Sequence, residues 1–556
     1  MLLSHTTQSH KVAQKLNLLK FRNFQSQHLS LSSLLPCLPS LFPISGAPLA
    51  MSSNETEELI TPHPPSPSPL PSKPKHHPRN PTSLLLQPFQ WLKMLSTTLH
   101  PTFILGIILV YGLNLGFSDS YFRVVTDYYW KDVQKINPSS AQFYIGFYFI
   151  PWILRPLWGL LTDVLPIMGY RRRPYFVIAG VVGVSSAVLV TIATKLPASL
   201  ALLCFIGVHG GMAMATATID ACTAKNSIEV KELAADLQSL CGFCHSLGAL
   251  LGYSTSGFLV HKLGAQGSLG ILTIAPTAFL LLGFLIYELR FANSTSQGSK
   301  KVVERIGGAM EDMYRTIKFP QVWKPSLFMF LSLALSYSTH EGHFYWYTDP
   351  VAGPGFSKEF VGMMYAIGAV GSMIGVFIYH KFLKDFSLRD LLFYAQLLYV
   401  ASGMLDLMFI LRWNLPLGIP DPVFIIVEET IYHVIGRIRW MPMVVLSTRL
   451  CPLGIEGTFF ALLMCIDSVG SLSSKMLGGM VLHYLDISRT NFSNLWLAIL
   501  VRNCLRFGTI ALIFLVPNAT QHDVLVPSNI TSNRNTSTRV QEATLELVPL
   551  SEKLDI

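Results

Sequence analysis

Charge is scarce in this sequence. Only 13% of its residues are Asp, Glu, Lys or Arg, against about a quarter in a soluble domain, so the chain cannot cover a water-facing surface. No Gly-x-x-x-x-Gly-Lys-Ser/Thr loop occurs in the polar stretches, which argues against driving by ATP. Recognisable nucleophile–base or metal-ligand sets are missing too, so enzymatic catalysis has nothing to work with. His340-Glu341-Gly342-His343 falls one residue short of the His-Glu-x-x-His zinc spacing. Cys204, Cys241, Cys244, Cys465 and Cys504 lie in apolar stretches, where a thiol behaves as a small hydrophobe. Cys241 and Cys244 have the C-x-x-C spacing but no second pair to complete a zinc site. The expectation is a non-enzyme with no cofactor and no metal.

Hydrophobic residues, by contrast, make up 51% of the chain. They gather into twelve apolar segments, each near the roughly 20 residues that cross a bilayer. The estimated spans are 101–125, 141–164, 174–194, 197–218, 235–260, 268–289, 325–346, 360–380, 388–411, 422–445, 455–484 and 494–516. The polar stretch 290–324 divides them six and six. The expected fold is therefore an all-α membrane protein with twelve transmembrane helices in two six-helix halves, 101–289 and 325–516. With the N-terminus inside, inner loops hold fifteen Lys and Arg residues and outer loops seven; this bias and the even number of spans place both termini inside. The same scatter of basic residues through loops argues against nucleic acid as the partner of the +9 net charge. The chain is expected to work as a monomer in a lipid bilayer.

Residues 1–54 contain no aspartate or glutamate and are rich in serine and leucine, with Lys11, Lys15, Lys20 and Arg22 as their permanent charges. That composition reads as a transit peptide for a plastid, hence a chloroplast envelope location. A disordered tail, or translation from Met51 and residence in the plasma or another cell membrane, is the alternative. Residues 55–100 form a Pro/Ser-rich linker, and 517–556 a C-terminal tail.

The stretch Phe149–Tyr175 concentrates chemistry in one place. At about 100° per residue, Trp152, Arg155, Gly159 and Asp163 share a helical stripe, and such charges should face protein or water. Pro166 ends the helix before Arg171, Arg172 and Arg173. The Gly159-x-x-x-Asp163 spacing followed by Gly-Tyr-Arg-Arg-Arg resembles the loop between the second and third helices of the major facilitator superfamily. In the second half, Gly375 to Arg389 is only a degenerate echo of it.

Three stretches together resemble the folate–biopterin transporter family, a branch of that superfamily. They are Pro151-Trp152…Arg155-Pro156…Gly159…Asp163…Arg171-Arg172-Arg173-Pro174, then Ile219-Asp220-Ala221…Asn226 with Asp236 following, and Trp440-Met-Pro-Met…Arg449…Pro452…Glu456. The resemblance covers about residues 100–515. Arg155 stands where the family pattern usually has lysine, and Lys225 where an acidic residue is common. The resemblance implies a secondary active transporter for folates or pterins, working by alternating access. A transporter of another anionic or zwitterionic metabolite, or a non-transporting receptor or scaffold, remains open.

Within that frame, Arg155 and Trp152 are candidates for substrate binding, since guanidinium grips carboxylate in a fixed fork. Internal pairing of Arg155 with an aspartate is the structural alternative. Glu429, His433, Gly436, Arg437 and Trp440 share a second helical face. Glu429, Arg437 and Trp440 are read as substrate contacts, and Glu429 with His433 as a proton-coupling pair. Asp163, Arg171, Arg172, Asp220, Arg449 and Glu456 are assigned to the inner gate, where carboxylates can cap helix N-termini. The aromatics of Tyr337–Trp346 read as interfacial belt residues, or else as a stacking surface for a heterocycle. Asp406, Asp467 and Arg506 are intramembrane charges without an assigned role.

Overall fold

A computed structural model describes residues 81–518 apart from 166, 194, 230–233, 384–385, 450–455 and most of 289–316. The expected transit segment 1–54 and most of the tail 517–556 and central loop 290–324 lie outside the described residues. Helices occupy all twelve expected segments, and no strand is found among the described residues. Seven helices are long and apolar enough to cross a membrane by length and composition, one of them covering two of the expected spans. One boundary differs at the start. Helix α1, Pro81–Thr98, occupies the end of the expected linker, because Pro81 is tolerated at a helix start and a leucine-rich run follows.

Helix α2 runs unbroken through Pro101–Val133, eight residues beyond the estimate, and contains π-type turns at Ile108–Ser118 and Tyr129–Val133. The second segment is three pieces: α3 Pro138–Phe147, α4 Ile150–Ile153 and α5 Arg155–Val164. The breaks fall at Pro151 and Pro156, since proline cannot donate to the helical ladder and crowds the preceding turn. Trp158 of α5 closes over the second break, its Nε1 donating to the Pro151 carbonyl of α4 at 3.0 Å. Helices α6 Arg173–Ile192 and α7 Ala198–Glu229 follow. Helix α8 spans Ala234–Ser268 and turns sharply at Gly264, whose φ of 71° suits glycine; α9 Ile274–Leu285 completes the half.

The second half begins with α10 Pro320–Ala334 and α11 His340–Tyr347. The gap between them is bound to α15: Ser338 N donates to the Ser474 carbonyl at 3.1 Å. Then come α12 Lys358–Ile378, α13 Leu388–Ile410, α14 Asp421–Arg449, α15 Glu456–Tyr484 and α16 Leu495–Gly508.

Small residues set the close helix contacts, as expected where lipid leaves packing and hydrogen bonds to drive association. Between the halves, α8 meets α12 backbone to backbone. A Cβ on Gly257 would lie 2.2 Å from the Lys358 carbonyl oxygen, and one on Gly362 2.8 Å from Gly257 N.

The halves are also joined at the end that the charge bias assigns to the outside. Asp127 Oδ2 is 2.9 Å from His340 Nε2, and Glu341 N donates to Gln142 Oε1 at 3.0 Å. Asp132 pairs with Lys358 at 3.3 Å and His261 with Glu359 at 2.9 Å. Phe344, Tyr345, Trp346 and Tyr347 are buried there. Phe344 packs edge-on against Tyr128 of the first half, and the Tyr345 hydroxyl donates to the Ile136 carbonyl at 3.2 Å. These aromatics are thus interior packing, not a lipid-facing belt.

Candidate substrate site

The proline break makes Arg155 the first residue of α5. Its guanidinium pairs with Asp220 Oδ2 on α7, and the Tyr111 hydroxyl of α2 donates to Oδ1 of the same carboxylate. Arg155 and Asp220 keep 29% and 28% side-chain exposure, so the pair opens onto accessible space. Gly159, one turn further, has nothing within 4 Å of where a Cβ would be.

Asp220 therefore joins the centre, away from the arginine loop. The reason is helix length. Helix α7 continues to Glu229, which sets Asp220 about 13 Å back from its end at 1.5 Å per residue. The loop is held otherwise. Glu288, after α9, accepts from the backbone N–H groups of Arg171 at 2.6 Å and of Arg172 and Arg173 at 3.0 Å. A carboxylate does cap the start of α6, but it comes from the sixth segment. The Arg172 guanidinium donates to Thr162 Oγ1 at 2.7 Å. The side chains of Asp163, Arg449 and Glu456 lie outside the described residues. Trp152 sits apart from Arg155, its Nε1 donating to His209 Nδ1 on α7 at 3.2 Å.

Across the centre, α14 brings Glu429 and His433 together at 3.0 Å. His433 Nδ1 lies 3.2 Å from Ser372 Oγ on α12. A Cβ on Gly368 would sit 2.7 Å from His433 Cδ2, so the absence of a side chain there leaves room for the imidazole. Further along α14, the Arg437 guanidinium lies 5.0 Å from the centroid of the Trp440 ring. It is also within electrostatic range of His245 on α8 of the other half.

Arg123 links the two sets. It stays exposed although it lies within electrostatic range of Asp127, Glu429 and the Tyr253 and Tyr365 hydroxyls. Arg123 is thus an accessible residue with charged and hydroxyl groups of four helices around it. Arg123 belongs to a stripe on α2, with Asp119, Asp127 and Lys131 at every fourth residue. That spacing is a usable sequence signal. One turn outward, Asp127, His340 and Glu341 bring polar atoms within 4.8 Å of one another. Lys475 and, more remotely, Arg123 act on Glu341 through space.

The remaining charges separate. Asp406 pairs with Arg502 and lies 3.1 Å from His343, while Arg502 donates to Thr339 Oγ1 at 2.7 Å. Arg506 donates to the Tyr399 hydroxyl at 3.0 Å. This network ties α11, α13 and α16 within the second half. Asp467 senses Arg439, whose guanidinium donates to Gln396 Oε1 at 2.8 Å.

Broken helices and charged groups brought together from both halves of an apolar, all-helical fold are features of secondary transporters. The model of the BT1 family matches residues 115–535. The chain belongs to the BT1 family. This BT1-family chain is 60% identical over 448 residues to a protein named probable folate-biopterin transporter 6 from Arabidopsis thaliana, covering 81% of this chain and 89% of the relative. It is 46% identical to probable folate-biopterin transporter 2 of the same plant, over 84% and 94%. It is 29% identical to the folate-biopterin transporter of Synechocystis, over 72% and 78%. Among solved structures, the POT family transporter PepTSo aligns at TM-score 0.57 and 12% identity, covering 75% of this chain and 97% of that one. The nucleoside transporter NupG aligns at 0.55 and 11%, covering 74% and 98%. Likeness at that identity establishes the fold alone, that of major facilitator transporters. The chain is a multi-pass membrane transporter, not an enzyme.

Proposed function

We propose that this protein carries folates or related pterins across its membrane, driven by protons, with its two halves rocking about the central cavity. The observation that carries the substrate class is the 60% identity, over most of both chains, to a relative named for folate and biopterin transport. The chemistry of the centre supports it. A folate presents carboxylates at one end and a flat, N–H-rich heterocycle at the other. Guanidinium groups on both halves, Arg155, Arg123 and Arg437, suit the carboxylates. Asp220 and Glu429 suit the N–H edge of the ring as paired acceptors. Trp440 beside Arg437 offers an aromatic face. No bond is made or broken in the substrate.

Glu429 and His433 are one candidate for the coupling proton, since a carboxylate and an imidazole at 3.0 Å can share one. Arg171 and Arg172, with Asp163, Arg449 and Glu456, form the inner gate in this reading, and Asp220 answers to it through Arg155. The composition of residues 1–54 supports delivery to the chloroplast envelope. The engagement of Arg155 with Asp220 favours, as a second reading, a zwitterion that inserts between the pair and replaces both partners.

The test is uptake of radiolabelled folate into proteoliposomes holding the full chain, with and without an inward proton gradient, beside Arg155→Ala. Gradient-dependent accumulation by the wild type, lost in the variant, is the expected result. No accumulation by well-folded protein would overturn the folate reading.

A further inference from the structure

We propose that Glu341 takes up a proton where it meets Asp127, and that binding of this proton closes the outer end of the molecule. The proposal rests on the transport reading for its place in a cycle, but not for its chemistry.

Asp127 comes from the first half and Glu341 from the second, and both are buried, at 1% and 0% exposure. Their carboxyl oxygens and His340 Nε2 lie within 4.8 Å of one another. Asp127 has a partner in His340 at 2.9 Å. Glu341 has none: neither of its oxygens makes a hydrogen bond, and His340 Nε2, already engaged by Asp127, is 3.9 Å away. Two ionised carboxylates at this separation repel, and a buried carboxylate without a hydrogen bond carries a heavy desolvation cost. One proton on Glu341 relieves both.

The groups facing the pair do not remove the need for it. Arg123 on α2 and Lys475 on α15 act on Glu341 through space. Arg123, however, is exposed and shared with Glu429, so Lys475 is left to balance one buried carboxylate of the two. Tyr148 faces both acids from the end of α3, Tyr345 lies on the same helix as Glu341, and Tyr365 approaches from α12. All three are neutral hydroxyls.

The pair exists only while the outer ends meet. The turn that carries Glu341 also holds its backbone N–H against Gln142 of the first half. Parting the ends separates the carboxylates, and each gains water. The closed form therefore holds a proton that the open form releases, so lowering the pH favours closure. In a symport cycle this is the required order: a proton taken up from outside permits the outer end to shut.

The experiment measures the distance between spin labels on exposed Asn137 and Val351, on opposite halves at the outer end, in full-length protein in lipid nanodiscs without substrate. Across a series of pH values, the wild-type distribution should move to longer distances as pH rises. Glu341→Gln, which mimics the protonated acid, should hold the short distance throughout. Asp127→Asn should do the same, and serves if the first variant does not fold. An unchanged pH response in Glu341→Gln and Asp127→Asn, or none in the wild type, overturns the proposal. Because no substrate is present, failure here is distinct from failure of folate uptake, which the proteoliposome assay reads separately.

Discussion

Replacing Gly257 by alanine tests the contact between α8 and α12 most directly. The added Cβ would lie 2.2 Å from the Lys358 carbonyl oxygen and 3.0 Å from Glu359 Cα. Both obstacles are backbone, so no side chain can swing aside. Restoring an ordinary contact requires the helices to part by about 1 Å at this point. Overpacking of this kind costs about 1–3 kcal/mol. Because α8 and α12 belong to different halves, that cost falls on the form in which the outer ends meet. The balance between closed and open outer ends should shift by roughly 5- to 150-fold toward open. The assay is the Asn137–Val351 label distance at fixed pH, with Gly362→Ala as the reciprocal variant. The double variant should add less than the sum, since one separation relieves both collisions. Gly267→Ala is the control, its Cβ meeting only Leu263 Cβ at 3.4 Å. Equal distance distributions in Gly257→Ala and the wild type would refute the reasoning.

Asp220→Asn should weaken uptake about as much as Arg155→Ala, and exchanging the two charges should restore part of it; uptake by the double variant unchanged from the single ones would make the pair purely a substrate contact. Gly368→Ala should displace His433 from Glu429 and lower gradient-driven uptake without loss of fold, which size-exclusion profiles and uptake would check together. Arg502→Ala leaves Asp406 buried beside His343 without its guanidinium, and should destabilise the protein by about 3–5 kcal/mol, read as a lowered thermal midpoint in detergent. Glu288→Ala removes the cap on three loop amides and should cost about 1–2 kcal/mol, read as faster backbone exchange at Arg171–Arg173.

The helical architecture could be read from apolar segment lengths, because a bilayer imposes nearly the same length on each span. The family could be read from Pro151–Tyr175 and Trp440–Glu456, where prolines and charges interrupt lipid-compatible sequence. Side-chain partnerships were legible only inside one helix. The Glu429–His433 contact follows from a spacing of four. The Arg155–Asp220 pair does not, since 65 residues separate its members and nothing in periodicity connects them. Likewise nothing in periodicity connects Glu288, at the end of a span, with the backbone of the arginine loop that it caps. The stripe Asp119, Arg123, Asp127 and Lys131 was within reach, but ending the first span at residue 125 cut it in two.

Trp158 over the Pro151 carbonyl has a mechanical meaning. A proline gap with an unoccupied carbonyl is a place where a helix can flex. Here an indole N–H fills the acceptor, and in the other half α15 fills the gap before α11 through Ser338 and Ser474. Both bends are fixed elbows, not joints. In the proposed rocking motion, bends pinned in this way let each half turn as a solid piece. The elbows keep Arg155 and His340 in constant relation to their own bundles while the bundles move past one another.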